Sequence, residues 1–146
     1  MRHLICGVVI MLVGSGQAFA QTHPCDLPQA TAFTVTTANL PTFEFCQLQT
    51  DVVVGLIVKD NGVDRAPISA TVITVNPNAA GKIQYRATLP TQLTKGNHTI
   101  YVRAYNVNTV AIPPVQQEGP EIGPFALSVV DPPPPSPGAP SNLVIK

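Results

Sequence analysis

Few residues of this chain combine the types and the spacing that chemistry requires. His98 is the first candidate for acid–base work, because histidine titrates near neutral pH. A catalytic histidine also needs an oriented partner and a substrate or nucleophile within reach. The alternation of its segment places His98 on the face of Ile100 and Val102, at the boundary of a core. We therefore predict a structural role for His98 at a corner of the fold. It also lies in a sequon, Asn97-His98-Thr99, which matters only in a host that glycosylates asparagine.

Two groups of carboxylates suggest a metal site or a glycosidase pair. Asp60 and Asp64 flank a turn sequence, but the further oxygen ligands and the bidentate Glu of a calcium loop do not follow. Glu118 and Glu121 lie in a segment rich in Pro and Gly, without other carboxylates or an aromatic platform. Nucleophile-elbow and nucleotide-loop motifs are also missing from the sequence. We therefore expect no enzyme, no cofactor and no metal site.

The first 20 residues have the layout of a secretory signal peptide. Arg2 precedes an apolar run at residues 4–13, and Ala18 and Ala20 supply the small residues of a cleavage site. The run is about 10 residues long, half of what a membrane-spanning helix needs. Cleavage after Ala20 would remove Cys6 and deliver a secreted or periplasmic protein.

Two of the three cysteines, Cys25 and Cys46, remain after that cleavage. In an oxidising compartment a pair separated by 21 positions most simply forms one disulfide. In the loop-entropy treatment such a bridge is worth about 3 kcal/mol. A metal site or a reactive thiol is the alternative, although neither cysteine lies in a CxxC motif or beside a histidine.

The composition excludes other classes of protein. The chain has 146 residues, 8 basic and 8 acidic, and is 45% hydrophobic but only 11% charged. So few basic residues cannot supply the phosphate contacts that nucleic-acid binding needs. The ordinary apolar fraction disfavours disorder throughout the chain, and no second apolar run is long enough to span a membrane. We expect one small folded domain with neither a nucleic-acid partner nor a membrane span.

Between about residue 31 and residue 130 the chain has the pattern of short strands separated by turns. Val, Ile and Thr are abundant, Pro and Gly recur, and no helical spacing of apolar residues is sustained. Seven strands over about 100 residues predict an all-β, antiparallel sandwich. The predicted strands are residues 32–37, 42–48, 52–59, 68–75, 82–89, 98–106 and 125–130.

Residues 93–106 resemble the E–F corner and F strand of fibronectin type III and bacterial immunoglobulin-like domains. The segment reads Leu-Thr-Lys-Gly-Asn-His-Thr-Ile-Tyr-Val-Arg-Ala-Tyr-Asn. These families show a Leu, a turn with Gly, and then a Tyr or His that opens an alternating strand. His98 stands where the type III family carries its corner tyrosine, and the segment is one residue shorter, which favours the bacterial immunoglobulin-like variant. The resemblance implies a seven-stranded immunoglobulin-like sandwich at residues 21–131 and no particular ligand.

Residues 132–146 are predicted to form a Pro-rich tail. Its first part is a polyproline segment, which extends about 3.1 Å per residue and acts as a stiff spacer. Residues 140–145, Pro-Ser-Asn-Leu-Val-Ile, resemble the opening strand of a following type III repeat. An unordered terminus is the simpler interpretation of this end.

Two surface features indicate binding. On the alternating strand an outward row carries Tyr and Arg, which are enriched at interface anchors, although ordinary cross-strand pairing explains it as well. The connection at residues 107–124 is long for a segment without structure of its own, and such loops often bind ligands. The candidate binding residues are Tyr101, Arg103, Tyr105, Gln116, Gln117 and Glu118.

These observations predict a secreted, non-catalytic module for extracellular binding or adhesion. Its partner would be an extracellular protein or a polysaccharide. The alternative is a structural spacer or assembly subunit that self-associates through exposed edge strands.

Overall fold

The computed structural model describes residues 22–136 of the chain. The predicted signal peptide at residues 1–20 and residues 137–146 of the predicted tail lie outside the described residues. Within residues 22–136 the protein is all-β, apart from a 3₁₀ turn at Pro24–Asp26, and no helix there has the length and apolarity to cross a membrane. The strands are β1 (Ala32–Thr36), β2 (Thr42–Leu48), β3 (Gly55–Asp60), β4 (Val63–Asp64), β5 (Ile68–Val72), β6 (Lys82–Thr88), β7 (Gly96–Asn108), β8 (Val115–Glu118) and β9 (Ile122–Val130).

The strands form one curled sheet in the order β1-β9-β7-β3-β5-β6-β2, with β4 on β3 and β8 on β7. β5 pairs with β3 through Ile68 and Ser69 and with β6 through residues 70–72, so it passes from one half of the sheet to the other. β1 pairs with β9 in parallel, whereas every other pair is antiparallel. The sheet is therefore mixed, which corrects the predicted purely antiparallel arrangement.

The core lies between the two halves of the curled sheet. Alternating positions of β3, β7 and β9 point inward, as the period of two in a strand requires, and meet residues of β5 and β6 and of the loop after β6. Burial of these side chains is the main stabilising contribution, because each removes apolar surface from water. The buried cluster comprises Leu56, Val58, Ile68, Ala87, Leu89, Leu93, Ile100, Val102, Leu127 and Val129.

All seven predicted strands are present. β2 has the predicted bounds, and the other six have shifted ends. The main correction concerns residues 107–124, which were expected to lack regular structure. β7 continues to Asn108, β8 pairs with it through Val115–Glu118, and β9 already begins at Ile122. The segment lacks a strand-like apolar alternation because both faces of this hairpin are largely exposed, so burial imposes no pattern on it.

The predicted disulfide between Cys25 and Cys46 is confirmed, with a sulfur–sulfur distance of 2.06 Å and 5.8 Å between the Cα atoms. It attaches the 3₁₀ turn to β2. Two side-chain contacts fix the turn further: the Asn78 amide donates to Asp26 Oδ1 at 2.8 Å, and His23 Nε2 lies 2.9 Å from the carbonyl oxygen of Asn76. The beginning of the described chain is thereby held against the half of the sheet that contains β2 and β6.

Gly55 allows β5 to cross close to β3. A Cβ atom at this position would lie 2.1 Å from the backbone oxygen of Ile68 and 2.6 Å from a ring carbon of Tyr105. Neither neighbour can retreat easily, since one is backbone and the other belongs to a buried ring. The transfer of β5 between the two halves of the sheet therefore requires glycine here.

We expect Gly55→Ala to lower the free energy of unfolding by about 3 kcal/mol, because the new methyl group must displace the backbone of β5 or the ring of Tyr105. Urea unfolding followed by circular dichroism measures this. Gly119→Ala is the matched control, because its Cβ would meet the Ala104 oxygen at an ordinary 3.5 Å. It should change stability by less than about 0.5 kcal/mol. Equal losses in the two variants would contradict the steric argument.

Candidate functional site

The turn between β3 and β4 positions several of the charged residues. Asn61 and Gly62 form its two-residue loop, with φ angles of 49° and 85°. Asn61 also docks on β7, because its backbone N–H donates to Thr99 O at 2.9 Å and its side chain accepts from Thr99 N at 2.8 Å. Asp60 and Asp64 on either side of the loop face opposite sides of the sheet. Within residues 22–136, no three His, Cys, Asp or Glu side chains are grouped as metal ligands.

Asp60 faces inward and meets His98, whose side chain is only 6% exposed. The Nδ1 atom of His98 lies 2.7 Å from Asp60 Oδ1, and its Nε2 atom lies 2.9 Å from the carbonyl oxygen of Thr94. Both partners are acceptors, so the ring satisfies both only when both of its nitrogens carry protons. This corner of the fold therefore favours the imidazolium form of His98.

Arg65 completes this buried charge cluster, with its Nη2 atom 2.5 Å from Asp60 Oδ2. Burial raises the pKa of Asp60, but the hydrogen bonds and charges of Arg65 and His98 outweigh it, and the pKa lies below its ordinary value. Burial lowers the pKa of His98, but the hydrogen bonds to Thr94 and Asp60 and the charge of Asp60 outweigh it and raise the pKa. Each member stabilises the charged form of its neighbour.

The opposite, outer face of β7 carries a second charge cluster centred on Arg103. Its guanidinium donates to both carboxylate oxygens of Asp64, at 3.0 and 2.5 Å, and to Glu118 and Glu121. Lys59 adds an ion pair of 2.5 Å to Glu121. Hydrogen bonds from Arg103 lower the pKa of Asp64 and of Glu118, and those same bonds raise the pKa of Arg103. The carboxylates of the chain therefore already neutralise this arginine.

The predicted row Tyr101, Arg103 and Tyr105 does lie on one face, because each pairs with a β3 residue of that face. The row was predicted to be an exposed binding surface, but its residues are more buried than that. Tyr105 is only 9% exposed, and its ring covers Gly55. Tyr101 is half-buried, with the Lys59 ammonium 5.9 Å from its ring centre. Sequence reasoning missed the burial of Tyr105 because the space for its ring is created by a glycine on another strand.

The other three candidates, Gln116, Gln117 and Glu118, lie on the exposed strand β8. The hairpin of β7 and β8 extends beyond β3, whose pairing with β7 ends at Tyr105. Its tip is apolar and exposed: Val110 is 88% and Ile112 97% exposed. The Asn108 side chain accepts hydrogen bonds from two backbone N–H groups of this tip. The sequence analysis did not identify Val110 and Ile112, although the signal was two large apolar residues within the Pro-rich connection.

A second apolar surface is a groove of about 380 Å³ between β1 and β2, the two ends of the curled sheet. Its walls carry four phenylalanines, and its floor is formed by core residues such as Leu56 and Ile100. From the sequence these phenylalanines were indistinguishable from core residues, since alternation identifies the inward face but not whether a strand covers it. The four are Phe33, Phe43, Phe45 and Phe125.

Comparison with known proteins gives no match. No family model matches the chain, and no curated protein or solved structure is significantly similar to it. Function is therefore inferred from the geometry of the chain itself.

The buried charge cluster makes the stability of the protein depend on pH. The contribution of Asp60 is present above its ordinary pKa of 3.8 and is lost as the pH falls through its lower folded value. The contribution of His98 is present below its ordinary pKa of 6.5 and is lost as the pH rises through its higher folded value. We expect the free energy of unfolding in urea to decrease as the pH rises above about 6 and through the raised pKa of His98.

Asp60→Asn tests the origin of that decrease. The variant removes the carboxylate that holds the His98 proton, so the decline above pH 6 should become much smaller. Its overall stability should also be lower by about 3 kcal/mol, because Arg65 loses its buried partner. A decline of the same size in the variant would assign it to another group.

The two tyrosines of the outward row should respond differently to truncation. Tyr105→Ala should lower the free energy of unfolding by about 3 kcal/mol, because it leaves a cavity over Gly55. Tyr101→Ala should cost less than about 1 kcal/mol, because this ring is partly solvated. Thermal unfolding followed by circular dichroism compares them. Similar small effects would mean that both are ordinary surface residues.

Proposed function

We propose that the protein is a secreted or periplasmic, non-catalytic module with an immunoglobulin-like or fibronectin type III-like sandwich that binds an extracellular partner through the tip of its β7–β8 hairpin. The observation that carries the proposal is the exposure of Val110 and Ile112 on an ordered hairpin. Neighbouring apolar side chains that solvate poorly and stand on a rigid support are typical of interaction sites.

The strand order supports the immunoglobulin-like assignment. β9-β7-β3 corresponds to the order G-F-C of that fold, and β5-β6-β2 corresponds to D-E-B. In this correspondence the β7–β8 hairpin is the F–G connection, which is one of the binding loops in variable immunoglobulin domains. Residues 93–106 resemble the E–F corner and F strand of these families. In this correspondence the buried His98 takes the position of the corner residue.

The surroundings of the tip favour a protein partner over a polysaccharide. Val110 and Ile112 offer aliphatic anchors, and the exposed amides of Gln116 and Gln117 on β8 form a polar border beside them. An exposed aromatic platform for sugar rings does not accompany the tip among residues 105–118. Since Arg103 is paired with Asp64, Glu118 and Glu121 of its own chain, it is not free to attract an anionic partner at the base of the hairpin.

A second candidate function is that of an assembly subunit which self-associates through edge strands. The observation that favours it is the groove between β1 and β2, where two strand edges and an apolar surface occur together. The two functions are compatible, because the groove and the hairpin tip are lined by different residues.

The hairpin proposal predicts that Val110→Asp with Ile112→Asp weakens binding of the native partner by about 100-fold, since both apolar anchors are lost. Partners captured from the native extracellular fraction are identified by mass spectrometry and then titrated. Val75→Asp is the control, because Val75 is 75% exposed on the loop that follows β5. Circular dichroism verifies that each variant folds. Unchanged binding by the tip variant would exclude the hairpin as the contact.

A further inference from the structure

Both ends of the curled sheet offer a strand edge to another chain. In the part of the protein that the structure describes, β1 pairs only with β9 and β2 pairs only with β6. Their other edges border the apolar groove. The groove therefore combines two features. Backbone N–H and C=O groups of a strand edge can form hydrogen bonds with another strand, and an apolar surface beside them can be covered by its side chains. Strand addition uses this combination.

A covalent ring frames this groove. Residues 37–41 join β1 to β2 at one end, and at the other end the disulfide connects Cys46 of β2 to Cys25, seven residues before β1 begins. The ring limits how far the two edges can separate. An occupant must therefore be short, close to the five residues of β1 itself.

The groove presents aromatic surface that residues 22–136 leave partly uncovered. Phe33 is 43% exposed, and Phe43, Phe45 and Phe125 are only partly buried. Phe33 and Phe125 contact each other edge to face, with 6.2 Å between ring centres. A strand laid along the groove would place every second side chain against these rings. The occupant should therefore carry apolar residues at alternating positions.

We propose that the groove receives residues 141–146 of a second copy of this chain. This inference rests on the second candidate function, self-association through edge strands. The segment reads Ser-Asn-Leu-Val-Ile-Lys, so that Leu143 and Ile145 fall on one face when it is extended. These two residues are the ones that contact the phenylalanines of the neighbouring copy.

The length of the Pro-rich spacer favours a neighbouring copy over the same chain. The Val130 carbonyl accepts from Thr37 N at 2.8 Å, so the chain leaves β9 beside the end of β1. Residues 132–140 follow, and six of them are proline. A polyproline II segment of nine residues would span about 28 Å at about 3.1 Å per residue. The five-residue β1 is only about 17 Å long. A spacer of that length would carry Leu143 beyond its own groove.

One groove and one donor segment per copy generate a head-to-tail chain of copies. Such an interface is heterologous, because the two surfaces that meet are different. Assembly of this kind does not stop at a dimer unless the rotation between copies closes a ring. We therefore expect a series of species of increasing size.

Cysteine cross-linking tests the contact. In a Cys6→Ser background, one full-length variant carries Val35→Cys in the groove and another carries Leu143→Cys in the donor segment. The two proteins are mixed and oxidised mildly. We expect a covalent heterodimer in about tenfold higher yield than with Ser69→Cys, an exposed control on β5, in place of Val35→Cys. A chain that carries both groove and donor cysteines should give a ladder of linked copies.

Other results overturn the proposal. A double-cysteine chain that only cyclises, with no heterodimer in the mixture, would mean that the segment occupies its own groove. Equal yields with the Val35→Cys and Ser69→Cys partners would mean that the groove is not the acceptor.

Sedimentation velocity measures self-association and distinguishes the proposed groove contact from self-association through another surface. Leu143→Asp should weaken association of the full chain by about 100-fold, whereas Val144→Asp, which faces away from the groove, should weaken it by less than about threefold. Association that persists in Leu143→Asp would retain the assembly function and overturn the groove contact. A wild-type protein that stays monomeric throughout would overturn both.

Discussion

The close approach of three strands at Gly55 is the constraint on which the rest of this structure depends. Without a side chain at this position, β5 can pair with β3 and then continue into pairing with β6. That transfer curls the sheet, so that its two halves face each other and enclose the core. The same missing side chain leaves the space that the ring of Tyr105 fills. The enclosed core, the corner at His98 and the groove between β1 and β2 all depend on this curl of the sheet.

Many charged side chains of the described residues form ion pairs with one another. Inside, His98, Asp60 and Arg65 stabilise one another at the corner. Outside, Arg103 is paired with Asp64 and Glu118, and Lys59 is paired with Glu121. Buried or shared charges are costly unless they are paired, which explains why these groups cluster instead of remaining separate. Recognition by this protein is therefore expected to depend on its apolar surfaces.

Among the described residues, the two apolar surfaces considered for binding are the hairpin tip and the groove. The sheet places the tip and the spacer that follows β9 at different ends of the domain. The hairpin tip follows the last residues of β7, whereas the Pro-rich spacer begins after the last residues of β9, which runs antiparallel to β7. The tip and the spacer therefore leave the domain at opposite ends. In a head-to-tail assembly through the groove between β1 and β2, each copy would keep its hairpin tip available for a partner.

Local patterns in the sequence were sufficient to predict seven of the nine strands, the Asn61-Gly62 turn and the Cys25–Cys46 pair. The reason is that alternation, turn geometry and cysteine number act over short distances or by simple counting. They also placed Tyr101, Arg103 and Tyr105 on one face. Only the tertiary structure decided that Tyr105 is buried, that Arg103 is neutralised, that β1 runs parallel to β9 and that β2 keeps an open edge. The physical reason is that alternation determines which way a side chain points, whereas its burial and charge depend on which distant strand lies opposite it.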